Sequence, residues 1–190
     1  MRFFVLQSMS IVVTGNPGVG KHTIAHEIAK NLDLPIIDIN EIAKESGLFE
    51  KINETNDVDI FELEKILEPK ISKKAVIVGH LAPYVISKEN TEKIIILRRS
   101  PYDLLEVYKE RKYSDKKSKE NTGSEILGVI AYDAFTKFQE KSFQVNVSGR
   151  TINEVTKITM DIISNKKINE QIDWLETVKK NDDLKKFFVD

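Results

Sequence analysis

Ile11-Val12-Val13-Thr14-Gly15-Asn16-Pro17-Gly18-Val19-Gly20-Lys21-His22-Thr23 is the stretch that decides the fold. Four residues of β-branched, apolar character run into a glycine-rich turn, and an amphipathic pattern follows with Ile24, Ile28 and Leu32 on one face. That order reads as strand, loop, helix, with the helix from about Lys21 to Leu32. Gly15 to Lys21 fits the G-x-x-x-x-G-K spacing of a phosphate-binding loop, with the hydroxyl residue, Thr23, one place late. The chemistry explains the spacing. Glycines let the backbone approach phosphates closely, successive N–H groups form an anion nest at a helix N-terminus, and Lys21 closes over it. The expected loop set is Gly15, Gly18, Val19, Gly20, Lys21, His22 and Thr23.

Outward from this loop the pattern repeats. Pro35–Asp38, Ala75–Val78, Lys93–Leu97 and Phe143–Val147 read as further strands, each nearly continuous in apolar residues, as strands buried on both faces are. Helices are expected over about 39–46, 59–69, 101–111, 115–140 and 151–163, with one or two more over 168–190. The fold class is therefore α/β, a five-stranded parallel sheet flanked by helices with a C-terminal helical extension. No linker-like stretch divides the 190 residues, so the reading is one domain.

Composition narrows the function classes. With a formal net charge of −1, no global field draws in nucleic acid or membrane. The absence of cysteine excludes disulfides, thiolate chemistry and cysteine-ligated zinc. No apolar run approaches the roughly 20 residues that span a bilayer. Met1–Val5 is apolar but too short for a signal peptide, so a cytoplasmic protein is expected, with residues 1–8 an extension before the core. His22, His26 and His80 lack the partner spacing of a zinc site.

Later segments carry a resemblance. Leu97-Arg98-Arg99-Ser100-Pro101 with Leu104, Arg111-Lys112-Tyr113-Ser114-Asp115-Lys116-Lys117 with Asn121, Gly79-His80-Leu81 and Ser148-Gly149-Arg150-Thr151 resemble the archaeal adenylate kinase-like proteins related to the eukaryotic nuclear adenylate kinase isoenzyme 6. The likeness covers roughly residues 9–163. It implies a P-loop NTPase of the nucleoside monophosphate kinase type, using ATP and Mg²⁺, with AMP or another nucleoside monophosphate as acceptor. It implies a monophosphate-binding segment over about 39–62 and a lid over about 110–120. It also implies ATPase activity and contact with a small-subunit ribosomal protein, so nucleic acid would be met only indirectly.

By position in that family, Lys21, Arg98 and Arg111 are the expected catalytic cations, Arg111 and Arg150 face ATP, and Asn40, Glu41 and Lys44 face the acceptor. Four positions depart from the pattern. His22 stands where a hydroxyl usually follows the lysine, and Val78 where a Mg²⁺-orienting aspartate ends the third strand. Val107 replaces an arginine of the lid helix, and Lys112 replaces a lid glycine. Asp38 is the substitute carboxylate, acting on the metal through water, or else a helix N-cap; both readings stand. His80 either orders a water or is a buried structural histidine.

Overall fold

The computed structural model describes residues 9–52, 55–166 and 169–188; for 49–52 and 55–57 only the backbone is described. The N-terminal extension at 1–8, positions 53–54 of the expected acceptor segment, and 167–168 and 189–190 of the C-terminal extension lie outside the described residues.

Five parallel strands form the main sheet: β1 (Ser10–Thr14), β2 (Ile36–Asp38), β5 (Val76–Val78), β6 (Thr91–Arg98) and β7 (Ser142–Asn146), in the order β2-β5-β1-β6-β7. Register is set by apolar pairs. Val12 lies opposite Ile77 on one side and Ile94 on the other, and each is fully buried. Alternate residues of β1 serve opposite faces. Ile11 and Val13 pack under α1 (Lys21–Leu32), α5 (Pro101–Glu110) and α8 (Ile152–Ile163). Val12 packs with α2 (Ile39–Glu45), α3 (Ile60–Leu67), α4 (Ala82–Val85) and α7 (Val129–Phe138). Each such aliphatic side chain contributes roughly 1.5–3 kcal/mol by leaving water.

Two expectations are corrected. The single helix expected over 115–140 is two, α6 (Asp115–Leu127) and α7, parted at Gly128. Gly128 has φ of 65° and caps α6 through its N–H to Glu125 and Ser124 carbonyls. Only glycine takes that conformation cheaply; a Cβ there would meet the Arg98 guanidinium in ordinary contact at 3.4 Å, so the backbone angle is the constraint. Between the helices expected at 39–46 and 59–69 the chain forms an antiparallel pair, β3 (Phe49–Ile52) with β4 (Thr55–Val58), which the sequence pattern did not announce.

Beyond α8 come α9 (Trp174–Lys180) and α10 (Leu184–Phe188). They make a third, small core in which Val178 and Phe187 meet Ile126 of α6, with Tyr102, Leu105 and Trp174 packed around it. The Tyr102 and Phe187 rings meet edge to face at 5.3 Å. The C-terminal helices are thus latched onto α5 and α6, the two helices that flank the expected lid.

Candidate active site

The loop between β1 and α1 sits at the carboxyl edge of the central strand, where ligands bind in open α/β sheets. Gly20 caps α1 with φ of 88° and no side chain accepts from the helix's first N–H groups. Those donors are left for an anion. Gly15 backs onto the Leu97 carbonyl, and Gly18 presses against α5, where a Cβ would lie 3.1–3.2 Å from Leu104, Tyr108 and Val107. Val107, expected from the resemblance as an arginine position, is therefore part of the wall that holds the loop. Tyr108 finishes this seat, its hydroxyl donating to the Pro17 carbonyl at 2.6 Å.

Lys21 is 5% exposed, and its only described hydrogen bond is a long one, Nζ to the Asn16 carbonyl at 3.4 Å. Burial, reinforced by the Arg111 charge and only partly offset by Asp38, brings its ammonium down to about 8. A buried cation so weakly satisfied is poised for an anionic ligand.

Around it opens a cavity of about 670 Å³. The loop lines it through Gly18, Gly20, Lys21, His22 and Thr23, and Asn40, His80 and Arg111 complete the wall. Asn40 Oδ1 is buried without a hydrogen-bond partner. Burial, then the charges of Lys21 and His22, hold His80 down to about 4, so it is neutral at pH 7.

Arg111 reaches this cavity because α5 ends in a Schellman motif. Lys112 takes φ of 55°, its N–H donates to the Lys109 carbonyl, and the Tyr113 N–H donates to the Tyr108 carbonyl, both at 3.0 Å. The accompanying side-chain contact is a stacked pair, Tyr108 on Tyr113, with ring centroids 5.3 Å apart. Lys117 lies over the Tyr113 ring at 4.5 Å. Lys112 thus takes a left-handed conformation where the resemblance led to an expected glycine, and the turn forms all the same.

Asp38 does what the N-cap reading required: its Oδ1 accepts from the Asn40 and Glu41 N–H groups at 2.8 and 3.2 Å. Its Oδ2 lies 2.9 Å from His22 Nε2. Burial pushes the carboxyl up, but hydrogen bonds from His22 and the two amides outweigh it and hold it below the usual carboxylate range. Among the described residues no group of three or more His, Cys, Asp or Glu side chains could hold a metal. Val78, fully buried at the end of β5, offers no oxygen.

Several expected residues stand elsewhere. Glu41 and Lys44 are exposed on α2 and do not line the cavity. Val19 is buried in the core and, with Arg99 and Arg150, borders a second cavity of about 160 Å³ on the other side of the helix start. Arg150 is braced there by the Asn146 carbonyl at 2.7 Å and Glu170 at 2.6 Å. Arg98 needs correction as a phosphate-contacting cation. Its side chain is 4% exposed and its guanidinium is committed to Glu125 Oε1 at 2.7 Å, the Glu125 carbonyl at 2.7 Å and Gln144 at 2.5 Å. It lines neither cavity. Glu125, the partner that absorbs it, was not singled out from the sequence; an acid beside Gly123 and Ser124 on a packed helix face was the available signal. Arg99, whose Nη1 donates to the Gly18 carbonyl at 3.1 Å, was likewise missed.

A glycine-rich loop between a central parallel strand and a helix capped only by glycine, with a buried lysine and Arg111 at its mouth, defines a P-loop nucleotide-binding protein. Residues 11–128 match the AAA domain family. A shikimate kinase from Bacteroides thetaiotaomicron shares the fold at 17% identity, with a TM-score of 0.59 over 82% of this chain and 98% of that one. Closer in sequence is a Methanosarcina acetivorans protein named "Putative adenylate kinase", 31% identical over 90% of this chain and all of its own length. A Pyrococcus furiosus protein of the same name is 31% identical over 87% of this chain and 91% of its own. The chain belongs to this archaeal adenylate kinase family. No helix among the described residues is long and apolar enough to cross a membrane.

Proposed function

We propose that this protein is an ATP-dependent nucleoside monophosphate kinase, converting ATP and AMP to two ADP. The observation that carries the reading is Lys21, a buried cation with no anionic partner among the described residues, facing a 670 Å³ cavity together with the loop and Arg111. A cavity of that size accommodates nucleotide phosphates and an acceptor. Phosphoryl transfer needs little covalent help from a protein; positioning and cationic stabilisation supply most of the rate. In this reading the loop amides and Lys21 hold the donor phosphates, and Arg111 neutralises charge as the γ-phosphoryl group moves in line. Thr23 approaches the α- or β-phosphate. Asn40 reads the acceptor, its unpartnered Oδ1 accepting a hydrogen bond that no protein group supplies. Arg150 and Arg99 flank the cavity suited to the base of ATP. His80, neutral at pH 7, adds a hydrogen-bonding group without charge.

Mg²⁺ would enter with ATP, held by phosphate oxygens and water, because the described residues offer no cluster of carboxylates or imidazoles to cage it. When bound it screens the phosphate charge. Asp38, occupied by His22 and two amides, would touch its waters at most. Purified protein with ATP, Mg²⁺ and AMP should form ADP, and Lys21→Ala should abolish it. No ADP above background at saturating substrates would eliminate the kinase reading.

Val78 favours a second reading, a slow ATPase that serves as an assembly factor by clamping a small-subunit ribosomal protein, since the missing carboxylate slows turnover more than binding. ATP-dependent enrichment of small-subunit proteins in a pull-down supports it, and a clean lane counts against it.

A further inference from the structure

Glu125 stands in the last turn of α6 with no exposed surface, yet four donors from different parts of the chain converge on its carboxylate. Oε1 accepts from Arg98 Nε at 2.7 Å, from the Arg99 N–H at 3.1 Å and from Trp174 Nε1 at 3.1 Å. Oε2 accepts from Asn16 Nδ2 at 2.7 Å. Charge balance needs only Arg98. The other contacts tie one anion to the phosphate-binding loop on one side and to the C-terminal helices on the other.

Asn16 is doubly engaged. Its side chain meets Glu125 and, through Oδ1, the Ser124 hydroxyl at 3.1 Å, while its main-chain carbonyl receives Lys21 Nζ. Moving the carboxylate therefore moves the residue on which the buried lysine rests. Trp174 is held in turn by the small core of Ile126, Val178 and Phe187. A carboxylate offers about four lone-pair sites, and in a dry position a lost donor is not replaced by water.

We infer that Glu125 is a positioning residue of the phosphate-binding loop, and that Trp174 couples docking of the C-terminal helices to nucleotide binding through that one carboxylate. The inference rests on the proposed reading that the loop binds ATP. Coupling of this kind is reciprocal: whatever nucleotide binding does to Asn16 is felt at Trp174, and loosening Trp174 weakens the nucleotide site.

Trp174 is the single tryptophan in the chain, so its emission in the intact protein reports this contact. Titration with ATP and Mg²⁺ should shift that emission along the same curve that calorimetry records for binding. Trp174→Phe keeps a ring in the small core and removes the N–H; it should weaken ATP binding roughly threefold to tenfold. Glu125→Asp keeps the charge beside Arg98 but is a methylene too short to hold Asn16 and Trp174 together, and should weaken binding further. A purely structural role would lower the unfolding temperature of Trp174→Phe and leave its ATP affinity at parental value. That result, or binding heat without any emission change in the parent, overturns the inference while leaving the kinase reading intact. Absence of binding heat in the parent removes both. If Glu125→Asp does not fold, the parent emission and Trp174→Phe affinity decide the matter.

Discussion

Two buried cations lie at the same edge of the sheet, and they are treated in opposite ways. Arg98, ending β6, is enclosed by Glu125 and Gln144, so its charge is answered within the protein. Lys21, which opens α1, has a carbonyl at 3.4 Å and, among the described residues, no carboxylate within hydrogen-bonding distance. Family position nominated both for the same work. Burial and partners separate them: an enclosed, fully paired cation is architecture, whereas a buried unpaired one facing a cavity is a place reserved for a ligand's charge. The contrast also shows that a positive side chain at a strand's carboxyl end says little until its partners are known.

The comparison can be broken most forcefully at Arg98. Arg98→Met leaves the Glu125 carboxylate buried without its counter-charge and should cost about 3–5 kcal/mol of stability in urea unfolding. A loss below about 1 kcal/mol would mean the pair is not the support described.

At Lys21 the sign reverses. A displacement from 10.5 to about 8 corresponds to roughly 3 kcal/mol of unfavourable burial. Lys21→Met should therefore be more stable than the parent by about that amount at pH 7 without nucleotide, while losing ATP binding. Between pH 8 and 10.5 the folded parent binds fewer protons than its unfolded chain, so its stability climbs with pH and the gap between the two proteins closes. A methionine variant less stable than the parent at pH 7 would show that Lys21 is satisfied after all.

The smallest effect is expected at Lys112. Its left-handed backbone costs about 1–2 kcal/mol for a non-glycine residue, and glycine's greater unfolded-state freedom returns about 0.5–1. Lys112→Gly should accordingly stabilise the protein by about 0–1.5 kcal/mol, measured by thermal unfolding. Marked destabilisation would show that the Lys112 side chain, and not its backbone, holds the end of α5 that presents Arg111.

The legible parts of this protein were local or doubly buried. The loop and the limits of α1 followed from glycine spacing, one lysine and a helical apolar face, none of which needs a distant partner. The three central strands, β5, β1 and β6, were readable because burial on both faces leaves a nearly unbroken apolar run, whereas the edge strands β2 and β7 are half-buried and gave a shorter signal. What escaped depends on residues far apart in sequence. Glu125 meets Arg98 27 positions away, Asn16 109 away and Trp174 49 away, and no periodicity records such meetings. Gly128 was visible but lay inside an otherwise helical pattern, where the guanidinium beneath it could not be seen. The β3–β4 pair escaped because segments as polar as Thr55-Asn56-Asp57-Val58 carry a weak strand signal. At the candidate site, Asn40 and Arg111 were named and do line the cavity, whereas Lys44, equally plausible by position, faces solvent.

The central place of β1 in the sheet has a consequence for biosynthesis. Its two neighbours, β5 and β6, begin at Val76 and Thr91, so this strand is made well before either of its partners. At translation rates of about 5–20 residues per second, its apolar edge waits several seconds for company. Until then Ile11, Val12 and Val13 lack the partners that bury them in the finished fold, so an unpaired apolar edge is a liability of the growing chain and not of the folded one.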